Sequence, residues 1–392
     1  MRLERRAVSI AFLAFGAVMG SWLPRLPALK DHLHLSDAQV GYALLSFSVG
    51  AVLGATIARP ALGRGARRWV RTGTVAICAA LVGPALAGSF TLLLVSFLLL
   101  GAWAGFIDML ENAQAAELER AAGRPLINGF HGFWSLGAII GSVFAGGAAY
   151  AGVSPLMQFA VAAIVAAVAS APFLSNLPDT RSGAPRPAPS GAGRMWLTGA
   201  VMAVVAVAFC SFLVEGGTAD WSSLYLRELS HANPGIAAGG FAVFALAATV
   251  TRFRADRLTA HTSPATVARL GGILAALGLA LAIAVPALPG AIAGFALVGV
   301  GTAVMVPLAF SAGANLGKSG TALTLVLSGG YAGSIAGPAM IGNTADHFGL
   351  RVALGIPLAA ALVIIALAGN LQAKPGTAPL ASEVTTEPPS RR

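Results

Sequence analysis

Asp108 and Glu111 stand at the end of a long apolar stretch that runs from Phe90 to Leu110. An ionised Asp at the centre of a membrane helix costs roughly 2.5–3.5 kcal/mol on the most lenient scale. A carboxyl removed from bulk water can also take up and release a proton near neutral pH, which makes the pair a candidate proton carrier. Asn112 follows one helical turn after Asp108, on the same face. If this segment crosses a bilayer, the trio points into a polar interior, where a proton or a solute could bind. The alternative for Asp108 is a charge at the helix end paired with an arginine of the stretch Arg59 to Arg71. Glu117, Glu119 and Arg120 read as interface charges.

Other polar residues sit at comparable places. Arg25 lies in Trp22-Leu-Pro24-Arg25-Leu-Pro27, whose prolines should kink a helix and free its carbonyls. Glu215 and Asp220 fall near the end of another apolar run and could meet Arg25 as a gating pair or contact a solute; snorkelling to the interface is the other reading of Arg25. His131 could relay protons, or serve as a hydrogen-bonded interface residue. Trp134, Trp221, Trp22 and Tyr225 could stack on a sugar-like ring, or belong to an interfacial aromatic belt. Ser311 and Asn315 share a helix face and could contact solute or a neighbouring helix.

The elements that must position these groups are membrane helices. Of 392 residues, 56% are hydrophobic and only 10% charged, well short of the ~25% charge of soluble domains. Apolar runs of about 20 residues recur, the length that crosses ~30 Å of hydrocarbon. We read twelve spans, near 7–29, 38–60, 70–88, 90–114, 129–151, 154–175, 195–219, 236–255, 264–286, 289–313, 320–343 and 349–371. The fold class is an all-α membrane protein. Cys78 and Cys210 lie within apolar runs and read as core residues. No phosphate-cradling loop, zinc spacing or Ser/His/Asp arrangement stands out, so no enzyme and no metal or organic cofactor is expected.

Lys and Arg bias orients the spans. With the N-terminus in the cytoplasm, all but four of the 25 Lys and Arg residues lie on the cytoplasmic side; Arg25, Lys30, Arg227 and Arg351 are the exceptions. The net charge of +10 is then topology plus attraction to an anionic leaflet, and nucleic acid drops out as a partner. The Pro-rich stretch 176–194 reads as a cytoplasmic linker. It divides a six-helix half, 1–175, from a second, 195–371, with a disordered tail over 372–392. A shift of about 199 residues brings Trp22 onto Trp221, the Arg59–Arg71 cluster near Arg252–Arg269, and Gly137 and Gly141 near Gly337 and Gly342. Two pseudosymmetric six-helix bundles place a binding site between them near mid-membrane.

In this layout the chain resembles a major facilitator superfamily transporter over nearly its whole length. The superfamily's signature after the second helix reads Gly54 to Arg68 here, with Gly63, Arg64, Gly65, Arg67 and Arg68 present and the signature Asp absent. The equivalent stretch after the eighth helix keeps an Asp-Arg pair, Asp256-Arg257, so Arg64, Arg67, Arg68, Asp256 and Arg257 are the candidate gating loop. The segments around Asp108-Met-Leu-Glu111-Asn112, Phe130-His131-Gly132-Phe133-Trp134 and Glu215-Gly-Gly-Thr-Ala-Asp220-Trp221 resemble a bacterial inner-membrane subgroup related to the fucose–proton symporters. The resemblance implies proton coupling through Asp108, with the spacing to Asn112 matched and Glu111 standing where an apolar residue is expected. The symporters' second essential acid, in the first helix, has no counterpart over 7–24.

The expected function is proton-coupled symport of a small polar, sugar-like solute by alternating access, with H+ as coupling ion. Asp108, Glu111 and Glu215 are the candidate proton-coupling groups. Arg25, Asn112, His131, Trp134, Asp220, Trp221, Ser311 and Asn315 are the candidate solute contacts. The alternative is a proton antiporter exporting a drug or metabolite. The absence of a Gly-Pro pair from Gly141 to Gly147, where the superfamily's antiporters carry one, favours uptake. The protein is expected to be a monomer in the bacterial inner membrane, with both termini cytoplasmic.

Overall fold

A computed structural model describes residues 2–62, 65–123, 126–178, 199–316 and 321–372, without the side chains of 128 and 255–261. The 179–194 part of the expected linker, the first residues of the expected seventh span (195–198), the tail from 373 onward and Arg64 lie outside the described residues. So do the side chains of Asp256 and Arg257.

The described chain holds twelve helices long and apolar enough to cross a membrane: α1 Arg2–Leu33, α2 Asp37–Leu62, α3 Ala66–Leu86, α4 Phe90–Ala122, α5 Gly129–Tyr150, α6 Pro155–Leu174, α7 Gly199–Glu228, α8 Pro234–Arg254, α9 Pro264–Ala284, α10 Leu288–Asn315, α11 Thr321–Phe348 and α12 Leu350–Leu371. Local sequence starts them. Ser36 accepts from the Gln39 amide while Gln39 returns a bond to the Ser36 amide, a reciprocal cap. Ser89, Ser154, Asn233 and Ser263 cap the helices that follow them. Glu119 accepts from the amides of Leu126 and Ile127 at 2.7 and 2.9 Å, so this interface charge ties the end of α4 to the start of the next helix.

Several helices run past the sequence-based ends. α7 continues through Gly216 and Gly217 to Glu228, past the expected end near 219. In a helix packed among other helices, glycine permits close approach: a Cβ on Gly217 would lie 2.7 Å from Ile341 Cδ1. Glu215 therefore sits near the middle of α7, not near its end. α4 likewise continues to Ala122.

Lipid offers no hydrophobic drive for helices to meet, so small residues make the contacts. A Cβ on Gly54 would lie 1.8 Å from the Ala102 carbonyl oxygen, and one on Gly137 2.1 Å from that of Leu13. These lock α2 to α4 and α1 to α5. The pattern recurs in the second bundle, where a Cβ on Gly333 of α11 would lie 2.3 Å from the Phe209 carbonyl oxygen of α7. We expect Gly54→Val to force these backbones apart, at more than the ~1–3 kcal/mol typical of overpacking. In detergent its unfolding temperature should fall by several degrees, while Gly147→Ala, with nothing within 4 Å of its added Cβ, should match wild type.

Three prolines free carbonyls four residues upstream, and side chains from other helices use them. Pro24 breaks α1 into a 3-10 turn over Leu23–Arg25, and the Ser142 hydroxyl of α5, 2.8 Å from its own Ala138 oxygen, also reaches the Gly20 oxygen at 3.2 Å. Pro338 of α11 frees Ser334, whose oxygen accepts from Ser48 of α2 at 3.4 Å. Pro307 of α10 frees Ala303, whose oxygen accepts from Arg252 Nε of α8 at 3.2 Å.

With an even number of spans, both ends of the described chain lie at one end of the molecule, here the terminal end. At the other, distal end the two bundles are closed upon each other. Lys30 Nζ bridges Asp37 at 2.6 Å and Glu228 of the second bundle at 2.5 Å. Tyr42 donates to Asn343 at 3.0 Å. Between them α2 and α11 touch backbone to backbone: a Cβ on Gly342 would lie 2.9 Å from Gly41 Cα.

Candidate functional site

Toward the terminal end from this seal, the seam holds the molecule's central polar groups. Asp108 is exposed at the end of the apolar stretch of α4. Asn112 donates Nδ2 to Asp108 Oδ1 at 3.1 Å and to the Asp108 carbonyl oxygen at 2.9 Å. The Asn112 Oδ1 lies 3.1 Å from His131 Nε2; with the amide in this orientation, the imidazole Nε2 is the donor. A chain of hydrogen bonds thus runs from α5 through Asn112 to the Asp108 carboxylate on α4. Phe12 of α1 meets the His131 ring edge-on, centroids 5.4 Å apart, and fixes its plane.

The second bundle faces this chain with an ion pair. Arg252 Nη2 lies 2.6 Å from Glu215 Oε1, with side chains 40% and 27% exposed. Charge counting assigns Arg252 to a terminal loop; the structure places it inside α8. The break at Pro307 explains the position, because the Ala303 oxygen holds Nε while Glu215 holds Nη2. Arg252 lies within electrostatic reach of His131, and Tyr331 of α11 within reach of Asp108. The polar groups of the two bundles therefore face one cleft. Tyr331, with Phe212 at 6.1 Å, gives it an aromatic wall, and Phe212 in turn meets Phe310 at 6.0 Å. Arg252 and Tyr331 are the participants that sequence reasoning misses. Pro307 signals the first, since a proline inside a span advertises a free carbonyl; nothing distinguishes Tyr331 from an interfacial tyrosine.

Other expected residues lie elsewhere. Glu111 is 1% exposed, and neither carboxylate oxygen has a hydrogen-bond partner among the described residues; it points into the first bundle instead of the cleft. Arg25 is 4% exposed, which excludes snorkelling. It donates Nη2 to the Val153 oxygen at 2.7 Å, and neither Glu215 nor Asp220 pairs with it. Asp220 is half-buried in α7 and shares no hydrogen bond with the cluster. Trp221 is fully buried and Trp22 nearly so. Trp22 packs on Phe47 and Phe97 at 5.2 and 5.1 Å, while Tyr225 donates to the Ala282 oxygen at 2.5 Å. All three are core residues and offer no face to a ring in the cleft. Trp134 is half-buried against Phe15. Ser311 and Asn315 are exposed near the terminal end of α10, with no hydrogen bond to the cluster. Of the gating loop, Arg67 donates Nε to the Leu177 oxygen at 2.5 Å, and Arg68 is exposed.

The cleft offers one carboxylate with only a neutral amide as partner, an imidazole beside it, a divided ion pair opposite, and an aromatic wall. That set can hold a proton and hydrogen-bond a polar solute. Among the described residues, no cluster of His, Cys, Asp or Glu fit for a metal occurs.

The Major Facilitator Superfamily model matches residues 8–338. An uncharacterized transporter, y4wD of Sinorhizobium fredii, is 34% identical, covering 92% of this chain and 96% of its own. An uncharacterized MFS-type transporter of Yersinia pestis is 31% identical over 94% and 95%. Among solved structures, a D-xylose-proton symporter aligns with a TM-score of 0.69 at 16% identity, over 94% of this chain and 96% of the other. The MFS transporter FucP in the outward conformation aligns with a TM-score of 0.61 at 19% identity, over 94% and 98%. The expected two-bundle fold is the observed one, and the chain is a multi-pass membrane transporter of the Major Facilitator Superfamily.

Proposed function

We propose that this transporter carries a small polar, sugar-like solute together with a proton. The observation behind this reading is the His131–Asn112–Asp108 chain set against the Glu215–Arg252 pair across one accessible cleft. Moving the opening from one end to the other requires the cleft to close on its contents. Closure over a bare Asp108 carboxylate would leave a charge without a counter-ion in a dry interior, at a cost of several kcal/mol. A proton on Asp108 removes that cost, and the solute's hydroxyls supply partners for Asn112, His131 and Arg252. Charge neutralisation and solute occupancy then favour the same closed state, which is the requirement for coupling. The D-xylose-proton symporter among the structural neighbours makes sugar and proton reasonable first candidates.

In this reading the terminal end is cytoplasmic, as the Lys and Arg bias favours, the membrane is the bacterial inner membrane, and the state described is open inward. Glu111 belongs to the mechanism differently from Asp108. A charge on a carboxylate with no partner is costly inside the first bundle, so Glu111 serves as a place for a proton that does not face solute.

The test is a pH-sensitive dye sealed inside proteoliposomes, with D-xylose and a panel of other pentoses, hexoses and nucleosides added outside. Symport predicts lumenal acidification with one solute class and its accumulation when the outside is acidic. Lumenal alkalinisation during solute entry would assign antiport, and transport without any proton flux would remove the coupling claim altogether.

A further inference from the structure

A second feature lies on the outer face of the first bundle, away from the cleft. Where α2 and α4 cross at Gly54 and Ala102, a trough of about 360 Å³ opens beside them. Ile57, Pro60, Trp69, Trp103 and Phe106 line it. Its surface is almost wholly apolar. Phe106 is met edge-on by Trp69 at 6.1 Å and by Trp103 at 5.5 Å, which makes a stiff aromatic wall. Ile57 is 65% exposed and Trp69 46%, so the trough opens outward from the bundle.

Its terminal mouth carries uncompensated positive charge. Arg59 adjoins Pro60 and Arg68 adjoins Trp69; both are exposed. Neither has a side-chain hydrogen bond or ion pair among the described residues. Arg67 differs, being turned inward to the Leu177 oxygen. No internal acid can answer from nearby sequence, because the chain has no Asp or Glu between Asp37 and Asp108. The superfamily signature's Asp, absent from this loop, would have been one.

We propose that this trough is a binding site for an anionic phospholipid, with one acyl chain against Trp69, Trp103 and Phe106 and the phosphate at Arg59 and Arg68. The chemistry of the two parts matches one molecule. A guanidinium binds phosphate oxygens in a bidentate fork, and the adjoining trough takes a hydrocarbon chain without exposing polar backbone. A zwitterionic headgroup also brings a phosphate, but its own ammonium offsets it. Two unpaired arginines therefore select for net negative charge. The site is independent of the transport cleft, and its occupancy does not depend on what the cleft carries.

The tryptophans report on it directly. Purified protein is reconstituted in phosphatidylcholine bilayers containing increasing fractions of dibrominated phosphatidylglycerol or dibrominated phosphatidylcholine, whose bromines quench tryptophan on contact. The contribution of the trough is the part of the quenching that disappears in Trp69→Phe/Trp103→Phe. Trp22 and Trp221 contribute little because both are buried. We expect the brominated phosphatidylglycerol to occupy the trough with a relative association constant of about ten over phosphatidylcholine, in line with the attraction of a few basic residues to anionic lipid. In Arg59→Gln/Arg68→Gln the preference should fall to near one. Equal quenching of wild type by the two lipids, or a preference that survives the double substitution, would overturn the proposal. If the double variant does not fold, wild type in high salt decides: the preference must shrink as salt screens the arginines, and one unchanged by salt would count against the site.

Discussion

Asp108→Asn should abolish concentrative uptake while sparing exchange. With one proton per solute, each unit of imposed pH difference is worth 1.36 kcal/mol and sustains an accumulation of about tenfold. The asparagine keeps the size of the side chain and can still bond to Asn112. It cannot gain or lose a proton, so the cleft closes equally well with or without one, and the accumulation ratio should fall to about one. Exchange of labelled for unlabelled solute needs only the closed, occupied states and should continue. His131→Gln is the informative companion: it retains a hydrogen-bonding group near Asn112 Oδ1 but no titrating ring, and should weaken solute binding more than it alters the gradient dependence. If Asp108→Asn still concentrated solute as wild type does, the coupling role assigned to Asp108 would be wrong.

The second large effect concerns the distal seal. Lys30→Ala leaves Asp37 and Glu228 facing one another without the ammonium that holds both at 2.6 and 2.5 Å. Losing a charged hydrogen-bond partner at a part-buried site costs about 1–3 kcal/mol. The repulsion adds to it, and all of it falls on the state in which the distal end is shut. The balance between the two openings should move five- to a hundredfold toward distal-open. Spin labels at His32→Cys and Asp346→Cys, both exposed near the distal end, read this as a longer component in the distance distribution. Lys30→Arg should retain the short one. A distribution identical in wild type and Lys30→Ala would show that the bridge does not hold the seal.

How far these arguments could be made from sequence differs from residue to residue. Helix number and bundle layout were legible, because hydrophobic length and charge bias are properties of the chain itself. Asp108 and Asn112 were legible as neighbours because one helical turn separates them. The His131 contact needed the packing of α4 against α5, which has no fixed offset in sequence. Glu111 resembled Asp108 in the one-dimensional reading, but three residues turn it toward the bundle interior. The Glu215–Arg252 pair was hidden by two readings that point the wrong way: a span ended near 219, which set Glu215 near a helix end, and an arginine that imitates a loop charge. Lys30 counted as one of four distal charges, and nothing in its neighbourhood announced a partner on α7.

The prolines bear on how this chain can change. Pro24 with Ser142, Pro307 with Arg252, and Pro338 with Ser48 are each a vacancy and its tenant, written on different helices. Replacing a proline restores the amide that closes the helix, and the tenant loses its place. Replacing the tenant leaves a carbonyl bare at membrane depth, where water cannot reach it freely. Within each pair, then, neither residue drifts alone without cost, and the two should be gained or lost together across descendants of this sequence. For Arg252 the linkage reaches the cleft: a substitution at Pro307, a residue with no polar side chain of its own, alters how the Glu215 ion pair is held.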